Sequence, residues 1–358
     1  MKKLRGSFKS VLAGFATASL LIATACGGGG TSSTTVPAEN KPAETAPKAE
    51  TPAAGNYEPM TLKLGHQSPE ATNAHQASLK LKELVEKKTD GKVKIEVYPF
   101  RQLGTDRELM ESMQFGNLDL ALINNAPITN FVPEFAVLDV PYLFGDWNHM
   151  DKFIQSDIYR ELLKTSDTAG MKSFGMYSRG HRHVTSSKAP IANPDDFKGM
   201  RLRVIESPLY VSGYQALGAN PQAMNWPDAF MSMQQGAIDG QENTIDIIHD
   251  ENVFEVQKYV SKTGVNTAFG VIMGSKQKFD TWPAEVQQII QESADEVVME
   301  INKMNQEKEA EFEQKLKDKG MAFNEVDQAP FRELTKGVYD EYVKANGDKF
   351  VKPIEDLK

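Results

Sequence analysis

Three groups of side chains in this sequence could carry chemistry. The first is Arg201 and Arg203, in Met200-Arg201-Leu202-Arg203-Val204, which alternates like a strand. If Leu202 and Val204 face a core, the two arginines share the opposite face. On open solvent they are surface arginines. In an interdomain cleft, a planar guanidinium binds a carboxylate through two parallel hydrogen bonds. The second group is Arg179-Gly180-His181-Arg182-His183, which sets two histidines on one strand face, a conceivable start of a metal site. Its arginines repel a cation, and no third ligand is signalled, so no metal is expected. The third is Asp239 and Glu242, three residues apart. On one helical turn they could do acid–base work, or they could cap and face solvent. No phosphate loop, Gly-x-Ser-x-Gly elbow or His-Glu-x-x-His motif occurs, so no catalytic residue and no cofactor is expected.

The elements that must position these groups follow from apolar periodicity. Residues 61–66 and 93–98 alternate as strands. Residues 74–87 form a helix with Leu79, Leu81, Leu84 and Val85 on its stripe, and 106–115 form a second helix before a short strand at 118–123. This β-α-β-α-β order implies parallel strands with crossover helices, an α/β fold. Further on, 172–177, 183–186 and 200–204 read as strands and 209–217 and 227–235 as helices, with 131–144 an irregular, Pro-punctuated cover. The longest helical pattern, 283–317, would run ~50 Å at ~1.5 Å per residue. It either braces two domains or breaks near Glu300 into two helices.

Length and composition suit such a body: 358 residues, 40% hydrophobic, exceed one usual domain. The formal charge is −9, although Lys2, Lys3, Arg5 and Lys9 precede residue 25 without one acid. A body that acidic is a poor partner for nucleic acid, whose phosphates call for Lys and Arg. Those four cations and a short apolar stretch read as a signal peptide over 1–25. Leu21-Ile22-Ala23-Thr24-Ala25-Cys26-Gly27 resembles a bacterial lipobox, which implies a lipidated Cys26 anchoring the chain to a membrane. Cys26 is the sole cysteine, so no intrachain disulfide is available. Residues 26–56, rich in Gly, Ser, Thr, Pro, Ala, Glu and Lys, bury too little apolar surface to fold and read as a tether.

Six ordered blocks resemble one family. They are Tyr98-Pro99 with Gln102-Leu103-Gly104-Thr105-Asp106-Arg107-Glu108; Val140-Pro141-Tyr142-Leu143-Phe144; Arg182-His183-Val184-Thr185-Ser186; Lys198-Gly199-Met200-Arg201-Leu202-Arg203-Val204; Ala216-Leu217-Gly218-Ala219-Asn220-Pro221; and Gly236-Ala237-Ile238-Asp239-Gly240-Gln241-Glu242-Asn243. Together they resemble the solute-binding proteins of TRAP transporters, the DctP family, over essentially all of 57–358. The resemblance implies a two-lobe periplasmic-binding-protein-like fold that closes on a ligand, with the long helix bracing both lobes. Lobe I is expected at 57–181 plus 269–308, and lobe II at 182–268 plus 309–358. The implied partners are an organic acid and a small and a large membrane subunit, and the implied location is extracytoplasmic.

The same resemblance places the ligand carboxylate on Arg203, with Arg182 as a second contact, Asn243 orienting the carboxylate or its arginine, and Trp226 packing on the ligand. Gln67, Asp106, Asn124 and Glu206 align with the remaining pocket positions. Two cations, two acids and three neutral polar groups favour a monocarboxylate with several hydroxyls, a sugar acid such as a hexuronate, because a second carboxylate would meet Asp106 or Glu206. The competing account has Asp106 capping its helix and Glu206 paired with Arg201, which leaves a C4-dicarboxylate open. An alternative of another class is a secreted enzyme using Asp239, Glu242 or His183 on such an acid.

Overall fold

The computed structural model describes residues 57–358. The expected signal peptide, the lipidated Cys26 and the tether lie outside the described residues. Among the described residues there are nine strands: β1 (Met60–His66), β2 (Val93–Tyr98), β3 (Leu120–Asn124), β4 (Met171–Ser186), β5 (Arg201–Val204), β6 (Asn220–Ala223), β7 (Gly240–Asn243), β8 (Tyr259–Ser275) and β9 (Ala322–Glu325). They form one sheet in the order β2-β1-β3-β8-β4-β7-β5-β6, with β9 beside β8. Crossover helices make β1 parallel to β2 and β3 as expected, with Leu62 opposite Ile95. At the other end β5 runs parallel to β6 and β7. The two parallel sets are joined by β4 and β8, which pair antiparallel from Met171↔Ser275 to Ser186↔Tyr259 through three register shifts.

Local chemistry explains the elements beside the cavity described below. Thr105 and Glu108 form a reciprocal capping box at the start of the helix Asp106–Gln114, satisfying free backbone N–H groups there. Gly240 has no room for a side chain: a Cβ would stand 2.0 Å from the Thr185 carbonyl oxygen, so β7 approaches β4 only with glycine at that position. Strands β6 to β9 escape the periodicity reading. β8 is buried almost throughout, so it has no alternation to show, and β7 (Gly-Gln-Glu-Asn) is a wholly buried strand of polar residues.

Three apolar cores divide the sheet. The first gathers Leu62, Leu64, Ile95, Leu122, Phe153, Phe174 and Val271; the second holds Phe197, Leu202, Tyr214 and Phe331; the third holds Trp226, Ile245, Ile248 and Val260. The helix Ala284–Asp318 runs 35 residues without the break considered near Glu300. Val286, Ile290, Val297 and Ile301 enter the first core and Phe312 and Leu316 the third, so this helix ties the two together. Two details differ from expectation. Tyr342, Phe350, Val351 and Ile354 pack into the first core, whereas the resemblance places 309–358 in lobe II. Leu79 is 40% exposed rather than on the buried stripe. Among the described residues no helix is long and apolar enough to cross a membrane.

Candidate functional site

A cavity of about 380 Å³, its open mouth included, lies at the carboxyl ends of the strands, where open α/β sheets place their ligands. Gln67 and Ser68 follow β1, Asn124 ends β3, Arg203 and Ile205 come from the end of β5, and Asn243 ends β7. Arg179 and Arg182 enter from β4, beside its register shifts. Trp226, the first residue of the helix Trp226–Gln234, closes one side. Arg101 and Glu251 complete the rim.

Arg203 is 2% exposed, and its Nε and Nη2 donate to the Met224 carbonyl oxygen at 3.0 and 2.8 Å. Neither bond uses Nη1. The guanidinium lies 5.4 Å from the centre of the Trp226 ring. Among the described residues no carboxylate comes within ion-pair distance of it. Burial pushes its pKa down to about 10, so at neutral pH it remains a cation. A buried cation solvated by one carbonyl is poised for an anion.

Arg182 differs. Its Nε and Nη2 bind the Glu242 carboxylate, and Nη2 also donates to the Glu242 carbonyl at 2.9 Å. Burial opposes the Arg182 charge, but Glu242 outweighs it and leaves the guanidinium above its usual range. Glu242 also accepts from the Ile205 backbone N–H at 3.1 Å. Arg182 thus lines the cavity with its charge already matched. Arg179 went unrecognised as a site residue, being weighed only as a neighbour of the histidines. It donates to Asn124 Oδ1 at 2.8 Å and to Asp246 Oδ2 at 3.1 Å. Of the four arginines on this cavity, three have acidic partners within 4 Å, because Arg101 stands 3.9 Å from Glu251.

Asp106 does not line the cavity; it stands behind it. Its Oδ2 accepts from Gln67 Nε2 and Asn124 Nδ2, each at 2.7 Å, and so aims both amides. Burial pushes its carboxyl up to about 7, against the pull of the Asn124 hydrogen bonds. Its helix is capped by Thr105, not by Asp106. Glu206 is half-buried just outside the lining, where its backbone oxygen accepts from Asn130 at 3.0 Å, and Arg201 pairs with Asp239 instead of Glu206.

The groups considered for catalysis are not brought together. Asp239 and Glu242 share no helical turn. Glu242 is buried in β7 against Arg182, while Asp239 precedes the strand and is covered by the exposed side chains of Arg201 and Lys188, which it binds. His183 is buried away from the cavity, and burial, with the charges of His181 and Lys262, pushes it down to about 3. Among the described residues no group of three or more His, Cys, Asp or Glu could hold a metal.

Residues 64–346 match the model of the DctP family, described as bacterial extracellular solute-binding protein, family 7. A solute-binding protein of Roseobacter denitrificans is 33% identical over 296 residues, covering 82% of this chain and 89% of that one. A TRAP periplasmic solute-binding protein of Polaromonas, solved with bound D-erythronate, superposes with a TM-score of 0.81 at 31% identity, covering 83% of this chain and 99% of that one. A C4-dicarboxylate-binding periplasmic protein of Rhodobacter capsulatus is 28% identical over 305 residues, covering 83% and 91%.

Proposed function

The chain belongs to the family-7 extracellular solute-binding proteins that serve TRAP transporters, and from that premise we propose that it captures a hydroxylated monocarboxylate, a sugar acid such as a hexuronate or aldonate, by cleft closure. The observation that carries this reading is Arg203, a buried guanidinium whose counter-charge is missing. Three of the four cavity arginines have acidic partners, so one ligand carboxylate balances the site and a second does not. The amides of Gln67, Asn124 and Asn243 supply donors and acceptors for hydroxyls, and Trp226 supplies a flat apolar face. The erythronate bound by the Polaromonas relative is an acid of this kind, whereas the dicarboxylate-binding relative is the competing precedent.

Roles follow from the positions. Arg203 holds the carboxylate, Arg182 and Asn243 set its orientation, Trp226 packs on the carbon chain, and Asp106 orients Gln67 and Asn124. Glu206 acts from outside the lining. Lobe I (57–181 plus 269–308) and lobe II (182–268 plus 309–358, whose end packs back on the first core) approach on binding, a shift between two populations without a chemical step. The closed form is then delivered to a small and a large membrane subunit. The protein works outside the cytoplasm, tethered through lipid on Cys26, and returns its ligand unchanged. Calorimetry with D-galacturonate, D-glucuronate, L-galactonate, succinate and malate tests the reading. Binding of a sugar acid with no response to the dicarboxylates is expected, and tight binding of succinate or malate alone would overturn it.

A further inference from the structure

Arg101 lines the cavity without a role at the carboxylate. Arg101 sits in the turn after β2, and both Phe100 (φ 50°) and Arg101 (φ 63°) hold the left-handed backbone region that non-glycine residues avoid. Two hydrogen bonds keep them there: Phe100 N–H to the Ser68 carbonyl at 3.0 Å and Arg101 N–H to the His66 carbonyl at 3.2 Å. Strain held this firmly clusters at ligand clamps. The guanidinium lies 4.3 Å from the centre of the Phe100 ring and reaches Glu251 at 3.9 Å, too far for a hydrogen bond. The two side chains start from different cores. β2 contributes Val93 and Ile95 to the first, while the helix Ile245–Asp250, just before Glu251, contributes Ile245 and Ile248 to the third. Glu251 caps the helix that precedes it, donating its backbone N–H to the Ile247 carbonyl at 3.0 Å, so the acid has a fixed seat. Arg101 Nη1, in contrast, is buried without a hydrogen-bond partner, a costly state that a bound acceptor would relieve.

We propose that Arg101 and Glu251 form a latch across the cavity mouth. Arg101 donates through Nη1 to an oxygen of the captured acid and Glu251 holds the guanidinium over it, so the pair sets how long the ligand stays. This rests on the acid-capture reading above. The latch forms after entry, so its loss speeds release and leaves entry alone. The pair is only partly exposed, 21% and 12% by side chain, and salt screens it less than an open surface pair.

Stopped-flow kinetics on the parent, Arg101→Ala, Glu251→Ala and the double variant test this, with L-galactonate and succinate as probes. Whichever acid the parent binds is used, so failure of the sugar-acid reading leaves the latch still measured. Loss of a charge-assisted hydrogen bond should raise the release rate roughly tenfold or more in Arg101→Ala, with the association rate nearly unchanged. The double variant should release no faster than Arg101→Ala, because coupled residues are not additive. Arg101→Lys should recover only part of the effect, since it keeps the charge and loses the fork. A release rate in Arg101→Ala equal to that of the parent, or single effects that simply add, would overturn the latch. A parent that binds neither probe would overturn the latch and the acid-capture reading together.

Discussion

The outer and inner ends of β5 hold two arginines on the same side of one strand, and their surroundings are opposite. Arg201 has 41% of its side chain exposed and is met by Asp239 through Nε and Nη2, with Lys188 on the same carboxylate. Arg203, two residues on, is buried, has a carbonyl and an indole for neighbours, and lacks a carboxylate. Across the cavity Arg182 is as deeply buried as Arg203 yet fully paired with Glu242. Burial alone therefore does not make an anion site, and neither does an arginine alone. The site arises where burial and a missing partner coincide.

The largest effect is expected from unbalancing the paired member. Glu242→Ala would leave Arg182 buried and uncompensated and should cost about 3–5 kcal/mol of stability, read by urea unfolding. A variant as stable as the parent would mean that the pair does not hold the inner strands. Next comes the unpaired member. Arg203→Ala should weaken binding of the preferred acid by roughly 2–5 kcal/mol in calorimetry, while Arg201→Ala leaves affinity unchanged and costs a little stability. Equal losses from the two variants would erase the distinction between the two ends of β5.

The smallest effect concerns the acid behind the amides. The Asp106 carboxyl is pushed up from 3.8 to about 7, so the folded protein keeps a proton that the unfolded chain releases first. Its stabilising contribution is complete below about pH 3.8 and is lost as pH rises through about 7. Asp106→Asn should therefore flatten the fall in Tm across that window, though Asp139, held near 7 by burial as well, keeps its own slope. An unchanged pH–Tm profile would show that Asp106 stays ionised on its hydrogen bonds.

Much of this molecule was legible in the order of its residues. Alternation located β1, β2 and β5, and 3.6-residue periodicity located five helices, the long one among them, because each returns its apolar residues to one core-facing side; the helices Trp147–Ile154, Asp157–Lys164 and Ala329–Asn346 escaped it. The block around Arg203 and those carrying Arg182 and Asn243 pointed to residues that do line one cavity. Tertiary structure decided the rest. β7 and β8 have no solvent face, so no period marks them, and the buried Gln241-Glu242-Asn243 reads as a polar turn until Arg182 is seen beside it. Arg179, Arg101 and Glu251 reach the cavity from a strand, a strained turn and a helix end that the chain order keeps far apart. Which arginine keeps its charge free was likewise beyond spacing: Arg201 and Arg203 are alike in sequence, and only the distance to a carboxylate, set by how distant strands pair, separates them.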